Sequence, residues 1–249
     1  LKLLLLDIET APNLAHVWGL WDQNIGLPQL LESGYILCWA AKWYGDKEVI
    51  SSSRQDETKE DMLFKMHELL EQADAVITYN GKRFDIPWLN AEFLSTNLLP
   101  PSPYKQVDLL ETVKKQFKFP SNKLEYVVKE LGLGEKMKNS GHALWIGCIR
   151  NDPLAWKEML EYNIQDVQIL EQLYTKLLPW IKGHANHSLY STGECPVCPN
   201  CGGTHLVKRG FTHTLASVYQ RYRCNDCGHW SKDNKILNKK QYKTTSIHL

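Results

Sequence analysis

The chain has 249 residues, 43% of them hydrophobic and 23% charged, with a formal net charge of +1; this is a globular mix that excludes wholesale disorder. No apolar run approaches 18 residues, so no transmembrane helix is expected. Charge is unevenly placed: residues 1–183 carry 20 Lys and Arg against 25 Asp and Glu, and residues 184–249 carry 9 against 3, which makes the basic end the natural seat for a polyanion.

Taken in chain order, LKLLLLDIET opens with too short an apolar run for a signal peptide and reads as a buried strand over Leu3–Ile8. Residues 35–44 and 47–52 read as two strands joined at Gly45-Asp46. Thr58 then caps a helix of about 15 residues with an apolar stripe of Met62, Leu63, Met66, Leu69 and Leu70. Residues 75–79 form a short buried strand ending at Asn80-Gly81, and residues 86–94 a helix that tolerates Pro87 in its first turn. A strand over 105–109 leads into a helix for which Asp108 is the cap. A short helix over 124–131 stops at Gly132. Asp152-Pro153 starts a long helix that reaches about Leu178. The fold class expected is α/β, a mixed sheet flanked by helices. Residues 184–194 are polar and aperiodic and read as a linker.

Three segments carry the main chemical signal. In LDIET, Asp7 and Glu9 stand at i and i+2 of a strand and so project from one face, a pair of hard oxygen donors suited to Mg²⁺. In TYNGKRFDIPWL, Asp85 follows a strand and a glycine turn; a helix cap is its plainer role. In EYNIQDVQIL, Tyr162 and Asp166 are one helical turn apart on one face. Each segment alone is ordinary. Together they offer four carboxylates on three elements, which can converge on a pair of divalent ions about 3.5–4 Å apart, the arrangement that serves in-line displacement at phosphorus.

These three segments resemble, in order and spacing, the motifs of the DnaQ-like (DEDD) 3′–5′ exonuclease superfamily, whose fold is RNase H-like, and TYNGKRFDIPWL is similar to the exonuclease domain of family B DNA polymerases. The resemblance spans about residues 1–180. The Y-x₃-D spacing of Tyr162 and Asp166 matches the DEDDy branch; His142 lies too far upstream for the H-x₄-D alternative. The resemblance implies that Asp7, Glu9, Asp85 and Asp166 bind two Mg²⁺ or Mn²⁺ ions, Asp7 being shared, and that Tyr162 orients the attacking water. An ordinary tyrosine, with a pKa near 10, is a poor base at neutral pH. Asn80 and Lys82, in the turn before Asp85, are candidates to touch a phosphate or the terminal base; a turn-forming Asn and a solvated Lys are the plainer alternatives. Among the tryptophans, Trp18 and Trp21 fall in a loop and are the candidates for base stacking.

Five of the seven cysteines lie between Cys195 and Cys227. Cys198, Cys201, Cys224 and Cys227 make C-x₂-C-x₂₂-C-x₂-C, the spacing of one tetrahedral, structural Zn²⁺; CPVC (195–198) is also a CxxC, so Cys195 is an alternative ligand, but CPNCGG mirrors CNDCG and is preferred, which leaves Cys195 spare, and Cys38 and Cys148 read as core thiols. Clustered CxxC pairs point to metal rather than disulfides and to a reducing compartment, hence the cytoplasm. The module resembles the zinc ribbons attached to bacterial transposases, a likeness that points to a bacterial or phage setting. Lys208, Arg209, Arg221 and Arg223, interleaved with Tyr219 and Tyr222, suit a nucleic-acid backbone.

The expectation is therefore an exonuclease domain over 1–183, a linker over 184–194, a zinc ribbon over 195–232 and a basic tail over 233–249. The domain would hydrolyse DNA, preferably single-stranded, from the 3′ end to nucleoside 5′-monophosphates. The alternatives are a 3′–5′ exoribonuclease and a catalytically inactive nucleic-acid-binding adaptor. Replication or repair proteins are the expected partners, and a membrane is not.

Overall fold

A computed structural model describes residues 1–191 and 195–237. The chain divides into two units, Lys2–Thr175 and the residues from Lys176 onward, the latter together with Leu1. In chain order the first unit contains β1 (Leu3–Thr10), β2 (Leu14–Ala15), β3 (Leu30–Glu32), β4 (Ile36–Trp43), β5 (Ile50–Ser53), α1 (Lys59–Gln72), β6 (Ala75–Thr78), α2 (Asp85–Ser95), β7 (Lys105–Asp108), α3 (Leu109–Gln116), α4 (Leu124–Glu130), α5 (His142–Ile149) and most of α6 (Pro153–Leu177).

The main sheet has the order β5-β4-β1-β6-β7. β1 lies at its centre, antiparallel to β4 and parallel to β6, and β6 in turn is parallel to β7. The sheet is thus mixed and flanked by helices, as expected. Alternation along β1 decides what each face does. Leu4, Leu6 and Ile8 join Trp39 and the α1 and α2 residues Met62, Met66, Leu70, Leu89 and Phe93 in one apolar cluster. The buried indole of Trp39 donates to the Met62 carbonyl at 2.9 Å, so its polar atom is satisfied. A second cluster contains Leu37, Cys38, Leu144, Cys148, Trp156 and Met159, which ties β4 to α5 and α6.

Helix starts follow local chemistry. Thr58 accepts from the Asp61 amide to cap α1, Asp108 accepts from Leu110 to cap α3, and the Asp152 carboxylate accepts from Leu154 in the first turn of α6. Asp85 is the first residue of α2; Phe84 holds the cap position without a side-chain bond. Two features had no sequence signal. β2 and β3 form a hairpin of two- and three-residue strands, too short to show a period of two. In α5, HALWIGCI, only Leu144 and Cys148 are buried, but apolar residues surround the helix and blur its stripe.

In the second unit, β8 (Leu206–His213), β9 (Val218–Cys224) and β10 (Trp230–Ile236) make an antiparallel sheet in the order β10-β9-β8. The bulge between Lys208 and Phe211 uses Gly210 at φ +69°. β10 runs into the stretch read as a basic tail, and Lys239, Lys240 and Lys243 of that tail lie outside the described residues. Within residues 184–191 the chain forms a single 3₁₀ turn over His187–Leu189, and the His187 amide donates to the Pro199 carbonyl at 2.9 Å. No helix among the described residues is long and apolar enough to cross a membrane.

Candidate active site

The acids of β1 project opposite Leu4, Leu6 and Ile8, onto the face crossed by α6. Their cross-strand partners on β4 are small: Asp7 pairs with Ala40 and Glu9 with Cys38. α6 delivers Asn163 and Asp166 to the same place. Asn163, fully buried, donates its side-chain amide to Asp7 Oδ2 at 2.7 Å, which fixes that carboxylate. One oxygen from each of Asp7, Glu9 and Asp166 lies within 4.8 Å of the others. Asp85 is outside that triad but next to it. Its buried carboxylate accepts from the Ile8 amide at 3.1 Å, and its charge is the strongest electrostatic influence on Asp7.

Asp85 reaches this position through the turn that precedes it. Gly81 packs so closely that a Cβ would stand 2.4 Å from the Thr78 side chain, so only glycine fits. Asp108 holds the same turn: its oxygens accept from the Asn80 amide at 2.9 Å and from the Lys82 amide at 3.3 Å, besides capping α3. Asn80 adopts φ +72°, the left-handed conformation an Asn tolerates. The Lys82 ammonium pairs with Glu111 at 2.8 Å on the surface.

The electrostatics are those of acids crowded out of water. Burial first, then repulsion from Asp85, Glu9 and Asp166, pushes Asp7 well above the carboxylate range. Burial and Asp166 push Glu9 up to about 8, and burial pushes Asp85 up to about 7. Asp166 is raised by burial, against the pull of Lys136. The Lys136 ammonium lies 2.7 Å from Asp166 Oδ2 and 4.5 Å from the centre of the Tyr162 ring. Burial disfavours its charge, but Asp166 outweighs that and holds the ammonium above its usual pKa. Tyr162 lies beside both Asp166 and Lys136; burial and the Asp166 charge push its hydroxyl up to about 12.

The donor set fits divalent metal. The carboxylates supply hard oxygens only, and Asp166 Oδ1 is buried without a hydrogen-bond partner, an acceptor left over for a cation. Sequence reasoning passed over Asn163 and Lys136. A signal existed for Asn163, a polar residue inside the apolar stripe of α6. Nothing local marks Lys136, which sits in a loop 30 residues before Asp166.

In the second unit the Cys198, Cys201, Cys224 and Cys227 sulfurs all lie within 4.8 Å of one another. Two of the separations are 3.7 Å (Cys198–Cys227) and 3.6 Å (Cys201–Cys224). A tetrahedron of sulfurs about 2.3 Å from zinc has edges of roughly 3.8 Å, so the cage fits that ion. Cys195 is exposed and outside it, and Cys38 and Cys148 are buried. The basic residues divide between the two faces of the sheet. Lys208 pairs with Tyr222, whose hydroxyl donates to Asp233. Arg223 and Arg221 stand opposite Trp230 and Lys232 on β10. Arg221 stacks on Trp230 at 4.9 Å, its Nε donates to the Arg209 carbonyl, and Lys232 stacks on Tyr219 at 4.1 Å. Lys208, Arg209, Arg221 and Arg223 are all exposed.

Comparison with curated proteins gives no match. Among solved structures, the chain is similar to the family B DNA polymerase from the hyperthermophilic archaeon Pyrobaculum calidifontis, with 17% identity and a TM-score of 0.52 over 72% of this chain. That likeness is one of fold, and the chain spans only 25% of the polymerase. The family model described as RNase_H superfamily matches residues 31–178, from β3 to the end of α6. With more than half of its length matched, the chain belongs to the RNase_H superfamily.

Proposed function

We propose that the chain is a metal-dependent 3′–5′ exonuclease of the DEDDy type, which hydrolyses single-stranded DNA from its 3′ end and releases nucleoside 5′-monophosphates. The observation that carries this reading is the convergence of Asp7, Glu9 and Asp166, with Asp85 beside Asp7 and Tyr162 beside Asp166. Asp7, Glu9, Asp85 and Asp166 would hold two Mg²⁺ or Mn²⁺ ions, which supply charge neutralisation at phosphorus and acidify the attacking water. Tyr162, a poor base at neutral pH even at its ordinary pKa near 10, orients that water rather than deprotonating it. Asn163 keeps Asp7 turned into the site. Asn80, in the turn that Asp108 shapes, would touch the terminal nucleotide; Lys82 would have to leave Glu111 to do so.

In the same reading residues 1–183 are the nuclease domain, 184–194 a linker, 195–232 a zinc ribbon and 233–249 a basic tail. The ribbon, held by one Zn²⁺, adds nucleic-acid affinity through Arg209, Arg221 and Arg223, with Lys208 on the opposite face of the sheet from Arg221 and Arg223. Clustered CxxC thiols suit metal rather than disulfides and so favour a reducing cytoplasm as the setting, with replication or repair proteins as the expected company.

The test is product analysis on oligonucleotides labelled at the 3′ or 5′ end, as DNA and as RNA, with Mg²⁺, Mn²⁺ or chelator. Mononucleotides released in order from the 3′ end of DNA, and only with metal, are expected. Faster release from RNA would reassign the substrate, and no hydrolysis under any condition would leave an adaptor.

A further inference from the structure

The segment between β1 and β4 carries more apolar surface than its own fold uses. Its β2–β3 hairpin is closed by polar bonds. The His16 amide donates to the Gln29 carbonyl at 2.9 Å. The Gln29 side chain accepts from the Gly26 amide at 2.9 Å and donates to the His16 carbonyl at 3.1 Å, and Asn13 accepts from the Gly34 amide at 2.6 Å. The apolar side chains are left outside: Leu14, Trp18, Leu20, Trp21, Leu27 and Leu31 are each more than half exposed, Trp18 at 98% and Trp21 at 84%. The two indoles alone present roughly 400 Å². With the four leucines the surface passes the ~300–600 Å² of the largest apolar patch on an ordinary monomer. It reaches the order of the ~800 Å² that one partner gives to a standard protein interface.

Charge and shape narrow the occupant. Residues 11–34 contain no Lys or Arg and two acids, Asp22 and Glu32. Base-stacking aromatics work within positively charged grooves that hold the phosphates, so a nucleic-acid strand finds no countercharge in this segment. An apolar protein surface needs none. The same hairpin also holds a cavity of about 430 Å³, lined by Ala15, Val17, Ile25, Gly26, Leu27 and Leu30. That volume lies within the range of pockets that enclose small molecules, so an indole fits it. Projecting indoles and an apolar cavity on one hairpin are the two halves of a self-complementary surface. About a two-fold axis such a patch meets itself, and each copy's knob finds the other's hole.

We propose that the β2–β3 hairpin is a homodimer interface, in which Trp18 and Trp21 of one copy pack into the hairpin cavity of a second copy, and the reverse. The pairing uses none of the acids and stands apart from the nuclease reading.

Sedimentation velocity of the full chain, from about 1 to 100 µM, tests this on three proteins. They are wild type, Trp18→Ala with Trp21→Ala, and Leu27→Asp, which sets a charge on the cavity wall. The replaced side chains are exposed, so both variants should melt as wild type does. Wild type should sediment as two chains, with a Kd in the micromolar range or tighter. Each variant should pair at least about a hundredfold more weakly. Mixing the variants is the arm that a merely structural effect would not move. The tryptophan variant keeps its hole and the Leu27 variant its knob, so a mixed pair retains one of two contacts and should be only about tenfold weaker than wild type. A variant that pairs like wild type, a mixture that pairs no better than its components, or species that grow past two chains with concentration would each overturn the proposal. So would a wild type that stays single at about 100 µM. In that case anisotropy of a 5′-labelled oligonucleotide in Ca²⁺ reassigns the surface: weaker binding by the tryptophan variant gives it to unpaired bases, and unchanged binding gives it to a different protein.

Discussion

Four carboxyls at close quarters cannot all ionise in surroundings poor in water. In this protein Lys136 neutralises one of them, and Asp7 leans on the amide of Asn163. Removing an acid should therefore spare the fold. Asp7→Ala and Asp166→Ala are expected to abolish cleavage, with a loss of at least about a thousandfold, while the melting temperature in chelator holds or rises. Wild-type turnover in either would remove that acid from the site. Tyr162→Phe keeps the ring under Lys136 but loses the hydroxyl. Single-turnover rates should fall roughly ten- to a hundredfold with oligonucleotide affinity nearly unchanged; an unaltered rate would make Tyr162 a packing residue.

Two secondary elements do most of the positioning. β1 separates duties by alternation, three aliphatics to the α1–α2 side and two acids to the other. α6 sets Glu158, Tyr162, Gln165 and Asp166 along one stripe and adds buried Asn163 beside it. These two elements were readable, because period 2 and period 3.6 place side chains without any knowledge of partners. The turn into α2 was readable only in part. Its glycine was visible; the reason for it, contact with Thr78, was not. Gly81→Ala should destabilise the protein by about 1–3 kcal/mol and slow cleavage, because Asp85 moves with the turn. Adding Thr78→Ala should recover part of the stability, measured by denaturant unfolding as a double-mutant cycle. Additive losses would mean that the two side chains do not meet.

For the molecule as a whole, the crowded acids tie stability to pH in the direction opposite to that of salt-bridged carboxylates. Asp85 at about 7 and Glu9 at about 8 hold protons in the folded state that the unfolded chain, with values near 4, releases. The folded state binds more protons, so stability falls as pH rises across this window. Metal-free protein should melt at a lower temperature at about pH 8 than at about pH 5. Mg²⁺, which replaces those protons, should raise the melting temperature most at the higher pH. A flat profile in chelator would mean that water relieves the repulsion. The second unit has a separate dependence. Cys224→Ser should release zinc, unfold the three-stranded sheet and weaken oligonucleotide binding, while the acids of the first unit are untouched. Steady affinity after zinc loss would take the ribbon out of nucleic-acid binding.

By itself the amino-acid sequence determined everything that depends on spacing along a single element. It placed Asp7 with Glu9 on one strand face, Tyr162 with Asp166 on one helix face, and four cysteines in two knuckles, since backbone geometry over a few residues is set locally. Tertiary structure decided what depends on neighbours remote in the chain. Asn163 on Asp7, Lys136 on Asp166 and Asp108 under the Asn80 turn are contacts across many residues, for which no local period exists. The register of β8, β9 and β10 likewise decided that Lys208 faces away from Arg221 and Arg223, because pairing between strands, and not the order of residues within one, assigns a side chain its company.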